Sequence, residues 1–206
     1  MPITVANHPL SHHYLSILRD RSTDPQEFRH TSRRLAYILL MEATAEATLE
    51  EYGLETPLIH TTGLRLARPV VAVAVLRAGL GLIDAVIDML PDVAVGYAGV
   101  QRDEETARPM EYYTKFPAME GRLVLVLEPM LATGGSLAWA VERVKAAGAE
   151  HIIALCVVAS PEGVERMNTE HPDVKVVTAA VDSHLNDHFY IVPGLGDMGD
   201  RLFATL

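Results

Sequence analysis

The chain has 206 residues, 49% of them hydrophobic, with a formal net charge of −10 and one cysteine. This length suits a single domain, one cysteine excludes an intrachain disulfide, and no apolar window is long enough for a transmembrane helix. The acidic balance disfavours nucleic acid as the main partner, because a phosphate backbone requires a basic surface. No signal pattern precedes the first helix, so we expect a cytoplasmic protein without membrane contact.

Two helices are predicted before the first core strand. Residues 11–20 form the shorter one. The longer one has Thr23 or Asp24 as its cap and Pro25 in its first position, and Gly53 is its predicted end. Helices in such a position more often pack or dimerise than react, so this segment is interpreted as a helical arm.

Histidines occur in two clusters that could each suggest a metal site. His8, His12 and His13 lie near the N-terminus, and His184 and His188 are four residues apart near the C-terminus. The spacing of the first group matches no standard pattern of metal ligands, and no third ligand is evident for the second pair. A protein metal site is therefore disfavoured.

From residue 70 onward, predicted strands alternate with helices. The strands are 70–76, 93–100, 122–127, 151–159 and 175–181, and the helices are 82–90, 137–147 and about 161–170. Unbroken apolar runs indicate strands buried on both faces, and Cys156 in one of them is a core residue. The alternation predicts an α/β fold with a mostly parallel twisted sheet flanked by helices. Residues 56–62 are predicted as an edge strand, because Pro57 suits an edge.

The segment from Glu128 to Ser136 reads Glu-Pro-Met-Leu-Ala-Thr-Gly-Gly-Ser and connects a strand to a helix. Its last four residues begin the helix, where unpaired backbone N–H groups, the helix dipole and small residues suit a phosphate. Glu128 can accept hydrogen bonds from sugar hydroxyls or help to hold a metal. A tight turn with Ser136 as N-cap is the alternative. An acidic residue five positions before Thr133 makes that alternative weaker.

Arg77-Ala78-Gly79-Leu80-Gly81 forms a second corner between a buried strand and a helix. An arginine at the carboxyl end of a strand can bind an anion through its planar, permanently charged fork. A surface arginine beside a turn is the alternative. Because ligands of parallel sheets bind outside the carboxyl ends of the strands, both corners face the expected site.

Residues 101–119 show no buried pattern and carry many charges. A solvated charged hairpin or loop explains most of them. A loop of this length in a compact domain is often a lid, which is the second interpretation.

These segments together resemble the uracil phosphoribosyltransferases, a family of type I phosphoribosyltransferases. Four stretches carry the resemblance in the same order and spacing: Leu-Arg-Ala-Gly-Leu-Gly at 76–81, Arg-Asp-Glu-Glu-Thr…Pro-x-Glu-Tyr-Tyr at 102–113, Pro-Met-Leu-Ala-Thr-Gly-Gly-Ser at 129–136, and Tyr-Ile-Val-Pro-Gly-Leu-Gly-Asp-x-Gly-Asp-Arg at 190–201. The resemblance covers nearly the whole chain. It implies one domain over residues 1–206, divided into a helical arm (1–55), an α/β core (about 56–181) and a uracil-binding hood (about 182–206).

The resemblance implies the conversion of uracil and 5-phosphoribosyl 1-diphosphate to UMP and diphosphate. It also implies Mg²⁺ held mainly by the substrate, a homodimer or homotetramer, and activation by GTP as in some members. Residues implied for phosphoribosyl diphosphate are Arg77, Arg102, Glu128, Pro129, Met130, Leu131, Ala132, Thr133, Gly134, Gly135, Ser136 and Asp197. Those implied for uracil are Ile191, Gly196, Asp197 and Met198, and those implied for catalysis are Glu128, Arg102 and Asp197.

Four positions depart from the family pattern. Glu128 replaces the usual Asp, Phe189 a Gly, Met198 an Ala and Ala74 a Pro. A Met198 side chain turned away from the base is compatible with uracil, whereas one facing the base makes its cavity smaller. These departures motivate two alternatives: a non-catalytic nucleotide sensor or regulator with the same fold, and a transferase for a different base.

Overall fold

The computed structural model of the chain describes residues 3–102 and 109–205. Its strands are β1 (Ile3–Val5), β2 (Leu49–Glu55), β3 (His60–Leu66), β4 (Val70–Leu76), β5 (Ala94–Arg102), β6 (Pro109–Lys115), β7 (Leu123–Leu127), β8 (Met130–Leu131), β9 (His151–Ala159), β10 (Lys175–Val181), β11 (His184–Leu185) and β12 (Ile191–Val192). Its helices are α1 (Pro9–Arg19), α2 (Pro25–Thr44), α3 (Leu80–Met89), α4 (Gly135–Ala146), α5 (Pro161–Glu170) and α6 (Met198–Phe203). No helix in these described ranges is both long and apolar enough to cross a membrane.

The central sheet has the order β1-β10-β9-β7-β4-β5-β6, with the short β8 also paired to β9. All of its pairs are parallel except β5–β6, which confirms the predicted mostly parallel sheet. Alternate residues of a strand point to opposite faces. In β4, Val70, Ala72 and Ala74 therefore join one core layer, and the intervening valines join the other. Helices α1, α2, α3 and α6 cover the first layer, while α4 and α5 cover the second.

The N-terminal segment differs from the prediction after residue 44. Asp24 caps α2 as predicted, but α2 ends at Thr44 and Gly53 lies in β2, paired with Thr62 of β3. The last buried residue of α2 is Ala43, so a longer helix would bury no further apolar face, and packing is what stabilises most helices. The predicted edge strand at 56–62 is likewise shifted, because β3 runs from 60 to 66 in a separate two-stranded sheet with β2.

In the second half of the chain, residues 109–115 form β6, which pairs antiparallel with β5, in agreement with the hairpin interpretation of this charged segment. One prediction for the C-terminal segment is wrong: glycines at 194, 196 and 199 predict that it forms no regular helix, yet α6 spans Met198–Phe203. Asp197 starts α6 by accepting a hydrogen bond from the Asp200 N–H at 2.9 Å, an interaction that compensates for Gly199 inside the helix. The three-residue β1 was not predicted.

Candidate active site

Two cavities open at the carboxyl ends of the parallel strands. The arginine cavity, of about 420 Å³, is lined by Arg77, Ala78, Tyr112, Glu128, Ser136, Asp197, Gly199 and neighbouring residues of β4 and β5. The hood cavity, of about 410 Å³, is lined by Ala78, Glu128, Met130, Ala132, Gly199 and seven residues between His188 and Met198. Glu128 and Asp197 line both cavities, together with Ala78 and Gly199, so these residues lie where the two spaces meet.

The corner at residues 133–136 has the form that a phosphate site requires. Gly134 is the N-cap of α4, with φ of 75° and no side-chain cap. The alternative with Ser136 as N-cap is therefore wrong: Ser136 is the second residue of α4 and lines the arginine cavity. The N–H groups at this helix start are available to a ligand, because the first turn of a helix lacks internal acceptors.

Helix α5 supports the phosphate corner from behind. The Ser160 hydroxyl donates a hydrogen bond to the Ala132 carbonyl at 2.6 Å. A Cβ at Gly163 would lie 2.5 Å from the same carbonyl oxygen, so only glycine permits this approach. The predicted Ser-Pro-Glu-Gly start of α5 thus has a second role, which is to hold the loop before α4.

Glu128 is buried between the cavities, with 8% of its surface exposed. Its backbone N–H donates to the Leu155 carbonyl at 3.1 Å, which continues the β7–β9 pairing to the end of the strand. Burial raises the pKa of the Glu128 carboxyl to about 8, against a smaller lowering by a hydrogen bond with the backbone of Met130. At neutral pH this group can therefore hold its proton until a ligand brings a cation or hydroxyl donors to it.

Arg77 follows β4 directly and is held by the C-terminal segment. Its Nη2 lies 2.9 Å from Asp200 Oδ1, and its Nη1 lies 3.3 Å from the Thr205 hydroxyl. The Thr205 hydroxyl and then Arg77 lower the pKa of the Asp200 carboxyl. The guanidinium is half-exposed, so it remains accessible from the arginine cavity. Asp200 lies in the motif at 190–201, but no local pattern predicts its pairing with Arg77, because the two residues are 123 positions apart.

The hood loop is shaped by Asn186. Its side-chain oxygen accepts hydrogen bonds from the backbone N–H groups of His188 at 3.0 Å and Tyr190 at 2.9 Å. Between them Phe189 adopts φ of 61°, a left-handed conformation that explains why glycine would suit this position. The Phe189 side chain lines the hood cavity, together with His188 and Tyr190, three neighbours that sequence analysis did not assign.

Met198, for which two orientations were open, is buried beneath the hood cavity that it helps to line. Its side chain is 1% exposed and lies in the core layer with Ile191, Leu195 and Leu202. The hood cavity above it is lined by Ile191, Gly196 and Met198, the three residues expected near the base. The geometry therefore fits the interpretation in which the side chain at 198 is turned away.

Two arginines, Arg19 and Arg201, make contacts between the hood and the N-terminal helices. Arg19 donates two hydrogen bonds to the Asp182 carboxylate at 2.6 and 2.8 Å and one to the Gly194 carbonyl at 2.8 Å. Arg201 lies over the Phe28 ring at 4.3 Å and donates to the carbonyls of α1 and the loop after it. No local pattern could reveal these pairs, which join the two ends of the chain.

The remaining predicted residues are placed as follows. Pro129 and Leu131 are buried beside the corner, and the Pro129 carbonyl accepts hydrogen bonds from β9. Thr133, Gly134 and Gly135 form the turn itself. Arg102 ends β5, and its side chain lies outside the described part of the structure. Residues 103–108 of the lid predicted at 101–119 also lie outside it.

The carboxylates at the junction of the cavities suit Mg²⁺, which prefers oxygen ligands and usually retains ligands from water and substrate. Glu128 and Asp197 are the two available there. Within residues 3–102 and 109–205, no group of three or more His, Cys, Asp or Glu is placed to hold a metal. The His8 side chain accepts a hydrogen bond from the Leu10 N–H at the start of α1.

Comparison with known proteins gives a consistent family relationship. A family model described as uracil phosphoribosyltransferase matches residues 5–205. The uracil phosphoribosyltransferase of Salinibacter ruber is 47% identical over 204 residues, covering 98% of this chain and 97% of the relative. A solved structure from Aquifex aeolicus superposes with a TM-score of 0.95 at 35% identity, covering 98% of both chains. A phosphoribosyltransferase from Corynebacterium diphtheriae, at 16% identity, shares the fold with a TM-score of 0.56 over 84% of this chain and 96% of its own.

Proposed function

Because the chain belongs to the uracil phosphoribosyltransferase family, we propose that it converts uracil and 5-phosphoribosyl 1-diphosphate to UMP and diphosphate. One observation carries this proposal: two cavities meet at Glu128 and Asp197 beside a phosphate-type helix start. A ribose at that junction would have its 5-phosphate on the corner, its diphosphate in the arginine cavity and its acceptor base in the hood cavity.

In the proposed complex, different residues bind the different parts of the two substrates. Backbone N–H groups and hydroxyls from Thr133 to Ser136 bind the 5-phosphate. Glu128 accepts hydrogen bonds from the ribose hydroxyls, and Arg77 binds the diphosphate through charge-assisted hydrogen bonds. Backbone groups near Ile191, Gly196 and Met198 bind the edge of uracil. Arg102, at the end of β5, closes on the diphosphate.

The reaction exchanges one bond for another at C1 of the ribose. The bond from C1 to the diphosphate oxygen breaks, the bond from C1 to N1 of uracil forms, and N1 loses its proton. Positive charge develops on the ribose ring as diphosphate leaves, so the protein contributes chiefly by positioning and electrostatics. When bound with the substrate, Mg²⁺ would be held mainly by the diphosphate and the ribose hydroxyls, and it would supply positive charge beside the leaving group; Glu128 and Asp197 are the residues that could add oxygen ligands. No covalent nucleophile is required.

The direct test is conversion of labelled uracil to UMP with 5-phosphoribosyl 1-diphosphate and Mg²⁺, repeated across a panel of bases and with added GTP. Turnover with uracil alone supports the proposal and shows that Glu128, Phe189 and Met198 are compatible with activity. Turnover with a different base would keep the proposed reaction and would show that the hood recognises a base other than uracil. Tight UMP binding without turnover, with and without GTP, favours a nucleotide sensor.

The remaining family properties are also part of the proposal: a homodimer or homotetramer, GTP as an activator, and the cytoplasm as the compartment. Light scattering coupled to size exclusion measures the assembly. A dependence of turnover on GTP concentration measures activation. A monomeric, GTP-insensitive enzyme would contradict these two properties without affecting the proposed reaction.

Gly134→Ala is expected to lower activity at least about 10-fold, because it strains the loop that binds the 5-phosphate. At φ of 75°, a Cβ would lie 3.1 to 3.2 Å from Arg166 and the Gly163 carbonyl. Gly121 is a matched control, since its φ is 68° but nothing lies within 4 Å of its added Cβ. Both variants should lose about 1 to 2 kcal/mol of stability through backbone strain. Equal activity in the two variants would contradict the role of this corner.

A further inference from the structure

Arg166 of α5 lies against the glycines of the phosphate corner. A Cβ placed on Gly134 would lie 3.1 Å from Arg166 Cδ and 3.2 Å from Arg166 Cβ, so the aliphatic part of the side chain packs on this residue. A Cβ placed on Gly135 would lie 3.2 Å from Arg166 Nη1 and 3.6 Å from Thr133 Oγ1. The guanidinium and the threonine hydroxyl therefore approach the same point above the loop.

The side chain is held in this direction by its neighbour one turn away. Arg166 Nε donates a hydrogen bond to Glu170 Oε1 at 2.8 Å, an i,i+4 pair on the surface of α5. This bond uses the Nε edge of the guanidinium, while Nη1 is the atom found at the glycine corner. The side chain is 39% exposed, so a ligand arriving from solvent can reach it. Such a surface ion pair is weak, and a doubly charged ligand can compete with it.

We propose that Arg166 is a further binding residue of this site, which contacts the 5-phosphate of the ribose substrate. The inference rests on the proposed function, which puts the 5-phosphate on residues 133–136. Arginine presents several N–H donors in a planar fork that matches a phosphate group. It would add a positive charge to a corner whose other donors are backbone N–H groups and hydroxyls. No role for Arg166 is predictable from the sequence, because an arginine in a surface helix carries no local sign of the loop beside it.

The test separates the two ends of the substrate. Binding of ribose 5-phosphate and of inorganic diphosphate is measured by calorimetry on the full chain, together with KM and kcat for both substrates. Arg166→Gln is expected to weaken ribose 5-phosphate binding and raise the KM for 5-phosphoribosyl 1-diphosphate by about 10- to 100-fold, the effect of one charge-assisted hydrogen bond. Affinity for diphosphate and the KM for uracil should stay within about 2-fold, since Arg166 touches neither.

Two variants control for packing and charge. Arg34→Gln removes an arginine of α2 that pairs with Glu27 at 3.2 Å, is comparably exposed and lies far from the corner, so it should leave every constant unchanged. Arg166→Lys keeps the charge without the fork and should recover part of the lost affinity. If Arg166→Gln binds ribose 5-phosphate as the wild type does, or loses diphosphate affinity equally, the inference is overturned.

The outcome also distinguishes this inference from the proposed reaction. An active wild type with an unaffected Arg166→Gln variant overturns only the role of Arg166. A wild type that turns over no base, yet loses ribose 5-phosphate binding on Arg166→Gln, keeps Arg166 as an anion-binding residue and overturns the reaction. Thermal unfolding of each variant verifies that the comparison is between folded proteins.

Discussion

Glu128→Ala is expected to lower turnover by about 100-fold or more, because it removes the carboxyl group at the junction of the two cavities. The group accepts hydrogen bonds from the ribose hydroxyls in the proposed complex, where positive charge develops on the ring. Stability should change by no more than about 2 kcal/mol, because a buried carboxyl group is itself costly to bury and its loss offsets the small cavity left behind. Steady-state kinetics and urea unfolding measure the two effects separately.

Three variants define what the carboxyl group does. Glu128→Asp restores the residue usual in the resembled motif and should retain most activity. Glu128→Gln keeps the volume without the charge and should be nearly as impaired as alanine. Glu150→Ala is the control, since Glu150 is exposed just before β9, at the amino ends of the parallel strands and so at the opposite end from Glu128. Wild-type kinetics in Glu128→Ala would remove Glu128 from the mechanism.

The same carboxyl group predicts a pH dependence of stability. Burial raises the pKa of folded Glu128 to about 8, whereas the ordinary value is 4.5. Between these values the folded protein retains a proton that the unfolded chain has released, so stability is greatest below the lower pKa and falls as pH rises. The loss is at most about 1.4 kcal/mol per pH unit and ends near the folded pKa.

Urea unfolding of the wild type and Glu128→Gln at several pH values between 4.5 and 9 tests this expectation. The difference in unfolding free energy between the two proteins should shift steadily across the window and become constant above it. A difference that is independent of pH would mean that Glu128 ionises normally in the folded protein.

Arg77→Ala is expected to reduce kcat/KM for 5-phosphoribosyl 1-diphosphate by about 100-fold, because it removes the cation of the arginine cavity. Arg77→Lys should recover only part of the loss, since an ammonium group cannot match the guanidinium fork. Inorganic diphosphate binding should weaken in parallel, while binding of ribose 5-phosphate changes little. That pattern is the reverse of the one expected for Arg166.

The Asp200→Asn variant tests whether the ion pair with Asp200 positions Arg77. The substitution weakens this 2.9 Å pair but keeps the hydrogen bond from the backbone N–H of residue 200 to Asp197 at the start of α6. Its effect should be smaller than that of Arg77→Ala. Arg65→Ala, in the β2–β3 hairpin and paired with Glu50 at 2.6 Å, is the distant control. Normal diphosphate binding in Arg77→Ala would contradict the assignment of the arginine cavity.

The core sheet was predictable from the sequence because its strands are buried on both faces. The predicted strands at 70–76, 151–159 and 175–181 coincide with β4, β9 and β10. A strand between two helical layers is apolar at nearly every position, and this leaves an almost continuous apolar run that is visible without tertiary information. The corner after β7 was equally visible, because a helix start that binds phosphate requires small and hydroxylic residues in a fixed order.

Elements outside that sheet were predicted poorly because their side chains are exposed. The β2–β3 hairpin lies in residues interpreted as the end of a helix and as an edge strand. Its strands are defined by backbone pairing with a partner elsewhere in the chain. An exposed strand imposes little hydrophobic period on its sequence, so local patterns cannot place it.

The sequence alone therefore determined the parallel sheet, the two corners between strand and helix and the family resemblance, because each depends on residues that are close together in the chain. Only the tertiary structure decided how these parts meet. It pairs Arg77 with Asp200, lays Arg166 across Gly134 and Gly135, and turns the Met198 side chain into the core. These contacts join residues from distant segments, and their energies depend on distance and burial in space, which local sequence patterns do not encode.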